Sequence, residues 1–326
     1  MPPLADLGDF LHAVGKFLSS LAGVHWSALL LGLACFAGFL TARSRAAFNV
    51  LRAAYPTERI RFRRIWGAYV AAYGINMTIP VRGGTVVRVF LTKVSIPNSS
   101  YPAVASSLLV DNIFDLVVAV PILAFAFSQG VFPKPPDFSK LNAFDLSYLA
   151  AHPRFTLFLL TLLAFAALLA FAVLSVRVKA FWAHVRQGVT IVSDRRRYVR
   201  EVFAVQGVAW LFRFAAFWFL LDAFSVGGSV RNVLLVFGVV AVSSLVPLTP
   251  GGAGVQQALL VAVFSGTAAG ATVAAYSVGQ QIAIAAFSAG LAFVALASIF
   301  RLRSFREVIR LGREDRAAAQ AARAGR

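Results

Sequence analysis

The chain has 326 residues, of which 59% are hydrophobic, and a formal net charge of +18. So high an apolar fraction excludes an ordinary soluble domain and indicates an α-helical membrane protein with several spans. The basic residues cluster just outside apolar segments, which is the pattern that sets membrane topology and argues against nucleic-acid binding. The single cysteine, Cys35, excludes an internal disulfide and a cysteine-rich metal site.

The N-terminal part predicts an interfacial helix followed by a span. Residues 1–24 place leucines at helical spacing between polar residues, which is typical of an amphipathic helix in the membrane interface. Residues 26–42 predict the first span. Residues 43–64 carry a series of arginines against one acid, Glu58, which predicts a cytoplasmic loop and an external N-terminus. Setting topology is the main use we assign to these arginines, and contact with anionic headgroups is a secondary one.

Two short apolar segments follow, at residues 65–80 and 82–94. At 1.5 Å per residue each is about 20–24 Å long, short of a hydrocarbon core of about 30 Å. They predict two half-helices of a re-entrant hairpin that enters from the cytoplasm. Residues 101–127 predict a long outward span.

The second half repeats this order with the opposite orientation. Residues 232–246 and 254–265 predict a second hairpin, entering from outside, and residues 272–300 predict a long inward span. Such an arrangement is typical of an inverted repeat. With the first span and two further ones, the sequence predicts about five full spans and two re-entrant or broken hairpins. The two further spans lie at residues 155–176 and 202–224. A transmembrane domain then covers residues 25–300, and residues 301–326 form a basic cytoplasmic tail.

Three arginines, Arg82, Arg88 and Arg213, stand inside apolar sequence. A charged side chain near the bilayer centre costs about 2.5–3.5 kcal/mol, so it usually faces protein or water and marks a pathway. Arginine suits a phosphate because its planar fork donates two parallel hydrogen bonds. Gly83 and Gly84 would let backbone N–H groups approach the same anion.

Asp111 and Asp115 are four residues apart and share one face of their helix. They predict counter-ions that orient or release the embedded arginines. The alternative, that these charges only form internal ion pairs holding the spans together, stays open beside the phosphate interpretation.

The second hairpin contains its own break, with Pro250, Gly251, Gly252 and Gly254. The break predicts either an anion or headgroup site made of backbone groups, or a tight tip that allows close helix packing. Gln257 and Gln280, polar residues in apolar sequence, predict hydrogen bonds across helices or to a headgroup.

The sequence offers no pattern for catalysis. The histidines are scattered, no serine nucleophile motif occurs, and no phosphate-binding loop for a nucleotide is present. We therefore expect no metal, no cofactor and no enzymatic activity.

The two breaks together resemble the flippase-like integral membrane family that includes the transmembrane domain of bacterial lysylphosphatidylglycerol synthases. That family has the pattern Asn-x-x-x-Pro-x-Arg-x-Gly-Glu-x-x-Arg and a later Pro-x-x-Pro-Gly-Gly-x-Gly-x-x-Glu. The matching residues here are Asn76, Pro80, Arg82, Gly84, Thr85 and Arg88, then Pro247, Pro250, Gly251, Gly252, Gly254 and Gln257, with an acidic element at Asp111, Asn112 and Asp115.

Three positions depart from the family pattern. The family glutamates are Thr85 and Gln257 here, and a family arginine in the next span is Gln280. The loss of an acid together with a base strands no charge, but it argues against mechanisms that need those charges, such as proton coupling. The soluble aminoacyl-transferring domain of the synthases is not present, so we expect no synthesis of lysylphosphatidylglycerol.

The resemblance implies that the chain moves an anionic phospholipid or a prenyl-phosphate precursor between the leaflets of the bacterial cytoplasmic membrane. Arg82 and Arg88 would hold the phosphate and Arg213 would guide it. Three alternatives remain: an ion or small-solute transporter, a non-transporting partner of an envelope-synthesis enzyme such as a glycosyltransferase, or an intramembrane enzyme that depends on Asp111 or Asp115. Whether the protein acts alone or as a homo-oligomer stays open.

Overall fold

A computed structural model describes residues 23–78, 83–129, 186–243, 255–266 and 268–301. This part of the chain is helical and contains no strand, which confirms the all-α class. The helices, numbered in chain order, are α1 (Trp26–Ala54), α2 (Phe62–Thr78), α3 (Gly83–Ser95), α4 (Tyr101–Ser128), α5 (Arg195–Ala223), α6 (Val230–Ser243), α7 (Val255–Phe264) and α8 (Gly270–Ile299).

Four of the described helices, α1, α4, α5 and α8, are long and apolar enough to cross a membrane. This confirms an integral membrane protein with several spans. The span predicted at residues 155–176, most of the amphipathic helix at residues 1–24, and the tail beyond Arg301 lie outside the described residues.

The first span extends further than the sequence predicted. The prediction ended it at residue 42 and placed the following arginines in a cytoplasmic loop, but α1 continues to Ala54. Arg43 is only 8% exposed and faces the protein, where an aspartate neutralises it. Arg45 lies over neighbouring aromatic rings, and its guanidinium carbon is 5.0 Å from the centre of the Phe48 ring. An arginine that finds such partners no longer ends a helix, and local charge counting misses this.

Four shorter helices form two hairpin pairs. Helices α2 and α3 have 17 and 13 residues, and α6 and α7 have 14 and 10. Their lengths correspond to about 15–26 Å, less than a bilayer core of about 30 Å. In each pair the two helices pack against each other.

The two halves of the chain pack reciprocally. Helix α2 of the first pair lies against α8, and α6 of the second pair lies against α4, while α1 packs along α5. Helices α1 and α5 are antiparallel, because the His25 N–H donates to the Ala223 carbonyl at one end and the Asn49 amide donates to the Glu201 carbonyl at the other. Each hairpin therefore packs against the long helix that follows the other hairpin, which is the arrangement that an inverted repeat produces.

Small residues allow the crossed helices to approach closely. A Cβ added at Gly74 of α2 would lie 2.6 Å from the Ala292 Cβ of α8, and one added at Gly238 of α6 would lie 2.7 Å from the Ala126 Cβ of α4. Close approach through small residues is the usual basis of helix association in a membrane. The same device is therefore used at both crossings, and it fixes α4 and α8 beside the two hairpins.

Candidate functional site

The break between α2 and α3 is fastened by one side chain. The Oδ1 atom of Asn76, near the end of α2, accepts a hydrogen bond from the Gly84 N–H at 2.9 Å. This satisfies one of the free donors in the first turn of α3. A side chain at Gly84 would collide with the Ala72 carbonyl and approach Asn76 Oδ1 to 2.6 Å, whereas Gly83 has nothing within 4 Å of its Cβ position. Asn76 and Gly84 therefore have a structural role, and Gly83 leaves open backbone beside them.

A buried ion pair joins α1 to α4. Two guanidinium nitrogens of Arg43, Nη1 and Nη2, donate to the two carboxylate oxygens of Asp115, each at 2.7 Å. Arg43 Nη1 also donates to the Gln206 Oε1 at 2.7 Å, and Nε donates to the Tyr69 hydroxyl at 3.3 Å. All three nitrogens are thus engaged, so Arg43 acts as a fixed clamp between helices rather than as a free anion receptor.

A second ion pair joins α3 to α4. Arg88 Nη2 donates to Asp111 Oδ2 at 2.7 Å, and its guanidinium lies over the Tyr69 ring, 4.4 Å from the centre. The Gln206 amide donates to the other oxygen of Asp111 at 3.2 Å and so connects the two ion pairs. Among the described residues only one nitrogen of Arg88 is hydrogen-bonded, which leaves donors for a further acceptor.

Arg213 of α5 lies in an aromatic cage without a carboxylate partner among the described residues. Its guanidinium carbon is 4.7 Å from the Trp210 ring centre and 5.1 Å from that of Phe237, with Phe39 and Phe217 at 5.7 and 6.0 Å. Aromatic faces attract a cation but do not neutralise it. The cage therefore holds Arg213 in place and keeps its charge available.

These side chains form one connected cluster with an excess of positive charge. Arg213 touches Trp210, whose indole N–H donates to Asp115 at 3.4 Å, and Asp115 is bound to Arg43. The cluster contains three arginines and two aspartates, so its formal charge is positive. An uncompensated buried charge is costly unless a counter-ion can reach it.

The cluster opens toward the surroundings on the α4 side. The side chain of Asp115 is 41% exposed, that of Arg88 is 17% exposed, and that of Asp111 is 4% exposed. An anion that enters here can reach Arg88, although the carboxylate of Asp115 is more exposed than this arginine. Arg88 is therefore not sealed from lipid or water.

The corresponding contact between α7 and α8 uses amides instead of charges. The Gln257 side chain donates to the Gln281 Oε1 at 3.0 Å, and the Gln281 amide donates to the Gln256 Oε1 at 3.1 Å. Gln280 is 2% exposed, and its Oε1 has no hydrogen-bond partner among the described residues. Gln257 bonds Gln281 and not Gln280, because the consecutive residues Gln280 and Gln281 face different directions on α8.

A comparison with known families identifies the relationship. The model of the lysylphosphatidylglycerol synthase transmembrane region matches residues 10–292. The chain belongs to this family. It is thus a membrane protein related to proteins that modify or handle lipids. No curated protein and no solved structure matches the chain.

This member of the lysylphosphatidylglycerol synthase transmembrane-region family brings together most of the residues singled out in its first half. Asn76, Gly84, Arg88, Asp111 and Asp115 lie in or next to the cluster, and Arg213 joins it from α5. Arg82 and the residues of the second break, Pro250, Gly251, Gly252 and Gly254, lie outside the described residues, so their roles stay predictions.

Sequence reasoning missed several members of the cluster. Arg43 was assigned to a loop, and Gln206, Tyr69 and Trp210 gave no signal beyond being polar or aromatic residues within apolar helices. Gln206 is the clearest example, because it is fully buried and links Arg43 to Asp111. A glutamine inside a predicted span is the sequence feature that could have indicated this interhelical hydrogen bond.

Proposed function

We propose that the chain moves an anionic phospholipid, or a prenyl-phosphate precursor, between the leaflets of the bacterial cytoplasmic membrane. The observation that carries the proposal is the positive excess of the embedded cluster, in which Arg213 has no carboxylate partner among the described residues. A headgroup phosphate supplies the missing negative charge. No catalytic role is assigned to any residue.

Arg88 and Arg213 are the side chains with spare donors. Among the described residues, Arg88 uses one nitrogen on Asp111, and the contacts of Arg213 are with aromatic rings. A phosphate can accept two parallel hydrogen bonds from a guanidinium, which makes this interaction strong and directional. Arg43 keeps the cluster assembled while Arg88 and Arg213 turn from their present partners to the phosphate.

The aspartates provide the release step. A phosphate that approaches Arg88 competes with Asp111 for the same guanidinium. Since Asp111 keeps its bond from Gln206, it stays solvated by protein when Arg88 turns to the phosphate, and it can reclaim Arg88 afterwards. A site that binds too tightly would hold the lipid instead of passing it on.

An apolar groove beside Arg88 suits an acyl chain. The groove has a volume of about 420 Å³ and runs between α3 and α4, lined by Thr85, Val86, Val89, Tyr101, Pro102 and Ala105. Thr85 and Val89 flank Arg88 along α3. A groove that is mainly apolar next to a phosphate receptor favours a lipid over a small ion, which has no apolar part to bury.

We also infer that the hairpins enter from opposite sides and that the N-terminus is external and the C-terminus cytoplasmic. The short helices and the reciprocal packing support this topology. Single cysteines placed at Asn98 and Gly227, after replacing Cys35 by alanine, test it with a membrane-impermeant maleimide on intact cells. Labelling of position 98 but not 227 would reverse the orientation.

The transport test uses purified full-length protein in phosphatidylcholine vesicles with a trace of fluorescent phosphatidylglycerol. External dithionite bleaches the outer leaflet only, so bleaching beyond one half measures movement from the inner leaflet. We expect such movement with the wild type. The recovered phosphatidylglycerol should keep its mass, since the proposal includes no chemical change.

The decisive variant is Arg88→Gln combined with Asp111→Asn, which removes both charges of one ion pair and strands neither. If Arg88 only neutralises Asp111, the double variant should transport normally. If Arg88 receives the phosphate, transport should fall at least about tenfold, the effect of losing one charge-assisted contact of about 1.5 kcal/mol. Arg59→Gln, which removes an exposed arginine that is not part of the cluster, is the control and should stay within twofold.

Movement of no phospho- or prenyl-phospholipid by folded wild-type protein would overturn the proposal. Full transport activity of the double variant would overturn the role assigned to Arg88. Copurification of an envelope glycosyltransferase together with absent transport would favour the partner-subunit alternative, and transport of small ions without lipid movement would favour the solute alternative.

A further inference from the structure

A second basic site, made of residues that take no part in the embedded cluster, lies at one end of the helix bundle. A pocket of about 430 Å³ is formed where α2 begins and α8 ends. It is lined by Arg61, Arg63, Arg64, Ser298, Ile299, Phe300 and Arg301. Pockets of about 300–1,000 Å³ hold small organic ligands, so this one is larger than a single simple ion requires.

The four arginines of this pocket are not neutralised by neighbouring acids. None of the described carboxylates forms a salt bridge with them. The nearest acid in sequence, Glu58, accepts a hydrogen bond from the Asn98 amide at 3.1 Å. Four guanidinium groups around one concavity therefore create a strongly positive potential that no carboxylate of the described residues pairs with.

Arg301, which lines this pocket, has an unusual backbone conformation. Arg301 has φ of 56°, the left-handed conformation that ends many helices and that glycine or asparagine usually supplies. Other residues adopt this conformation rarely, because the Cβ atom crowds the backbone. A non-glycine residue in this conformation is a reason to look for a role of the side chain, and here the side chain completes the pocket.

The equivalent place at the opposite end of the bundle has fewer arginines among the described residues. There the beginning of α6 meets the end of α4, and Arg231 Nη2 donates to the Gln129 Oε1 at 3.3 Å. The reciprocal packing of the two halves makes these ends structurally comparable. The four-arginine pocket is thus a property of one membrane face and not a by-product of the fold.

We propose that this pocket, formed by Arg61, Arg63, Arg64 and Arg301, binds a phosphate-bearing anion at the face where α2 begins. The ligand class is a phosphomonoester or diphosphate group, carried either by a lipid headgroup of that leaflet or by a soluble anion. The fork of arginine matches phosphate oxygens, and two groups contributed by α2 and one by the end of α8 let a single anion tie the two helices together.

The test measures binding of two probes to the full-length protein. Radiolabelled inorganic pyrophosphate, in equilibrium dialysis with protein in neutral detergent, reports on a soluble anion. The lipid probe is phosphatidic acid. Native mass spectrometry measures how much of it the protein retains, with phosphatidylcholine as the reference lipid.

Two double variants separate a built pocket from general surface charge. Arg64→Gln with Arg301→Gln removes one arginine from each helix end of the pocket. Arg59→Gln with Arg231→Gln removes the same total charge outside it. One basic residue near a membrane surface contributes about fivefold in affinity, so the pocket variant should lose about 25-fold, and the control less than about threefold.

The outcomes decide the proposal independently of lipid transport, since neither probe needs to cross the bilayer. Loss of pyrophosphate and phosphatidic acid binding in the pocket variant alone supports the site. Retention of phosphatidic acid without pyrophosphate binding assigns it to a lipid headgroup, and the reverse assigns it to a soluble anion. Equal losses in both variants, or no preference of the wild type for either probe, would refute it. Maleimide labelling at position 98 verifies that the variants keep their orientation.

Discussion

The two halves of the molecule use the same helical arrangement with different polar chemistry. In the first half α3 is joined to α4 by the ion pair of Arg88 and Asp111, whereas in the second half α7 is joined to α8 by the amides of Gln256, Gln257 and Gln281. Both contacts link the second helix of a hairpin to the following long helix. The difference shows that a helix contact of this type does not require charge, so the charges of the first half call for another explanation.

The free energy needed to bury charged groups makes the contrast between the ion pair of the first half and the amides of the second informative. Hydrogen bonds between amides hold membrane helices together at about 0.6 kcal/mol on average, without desolvating an ion. A buried ion pair gains little over well-packed neutral residues, because desolvation offsets much of the attraction. The first half nevertheless retains two arginines and two aspartates in one cluster, to which Arg213 of α5 adds a third arginine. We interpret this retention, and the positive excess at Arg213, as the mark of the half that receives the anionic headgroup.

The largest expected effect is on the clamp between α1 and α4. Arg43→Gln leaves Asp115 with only a long bond from Trp210, and we expect the free energy of unfolding to fall by about 3 kcal/mol. This is the lower end of the range for a broken buried pair, because the Asp115 side chain is 41% exposed. Titration with sodium dodecyl sulfate, followed by circular dichroism, measures the change.

Two companion variants test whether charge is the cause. Arg43→Gln with Asp115→Asn should recover most of the loss, and Arg45→Gln, two residues away on the exposed side of α1, should change stability by less than about 1 kcal/mol. A double variant as unstable as the single one would show that packing, and not an uncompensated aspartate, holds the two helices together.

The second effect concerns the break that precedes the charged contact. Gly84→Ala forces a methyl group against the Ala72 carbonyl and Asn76, which should destabilise the protein by about 1–3 kcal/mol. Gly83→Ala has open space and should be neutral or gain up to about 1 kcal/mol from helix propensity. The same detergent titration compares these neighbours, and equal behaviour of the two would contradict the close contact at Gly84.

The amide contact of the second half should be worth less than the clamp of the first. Gln281→Leu removes two hydrogen bonds and leaves the Gln256 side chain, which is 5% exposed, without its partner. We expect a loss of about 1–2 kcal/mol. Gln281→Glu is the informative comparison, because it keeps an acceptor for Gln257 but adds a buried charge. A loss from leucine larger than that from Arg43→Gln would invert the ranking of the two halves.

The sequence predicted the class of the fold and several neighbours in the site, and its errors have identifiable causes. Apolar length and charge distribution report on burial in the membrane, so the long helices and the broken hairpins follow from them. Helix phase is needed to decide that Gln281, and not Gln280, faces α7. Tertiary contact is needed to see that Arg43 belongs to a span, because its partner Asp115 is 72 residues away in the chain.

Substitution of Gln280 should change the free energy of unfolding least, and the sign of that change is its most informative feature. Its Oε1 is buried without a hydrogen-bond partner, a condition that usually costs stability, so Gln280→Met should raise the free energy of unfolding by about 1 kcal/mol. Buried polar groups that lack an internal partner are retained when a ligand supplies one, and we therefore expect the same variant to transport lipid more slowly. Gln206→Met is the contrasting case, because Gln206 bonds Arg43 and Asp111 and its loss should lower stability. If Gln280→Met left transport unchanged while raising stability, Gln280 would have no part in headgroup recognition.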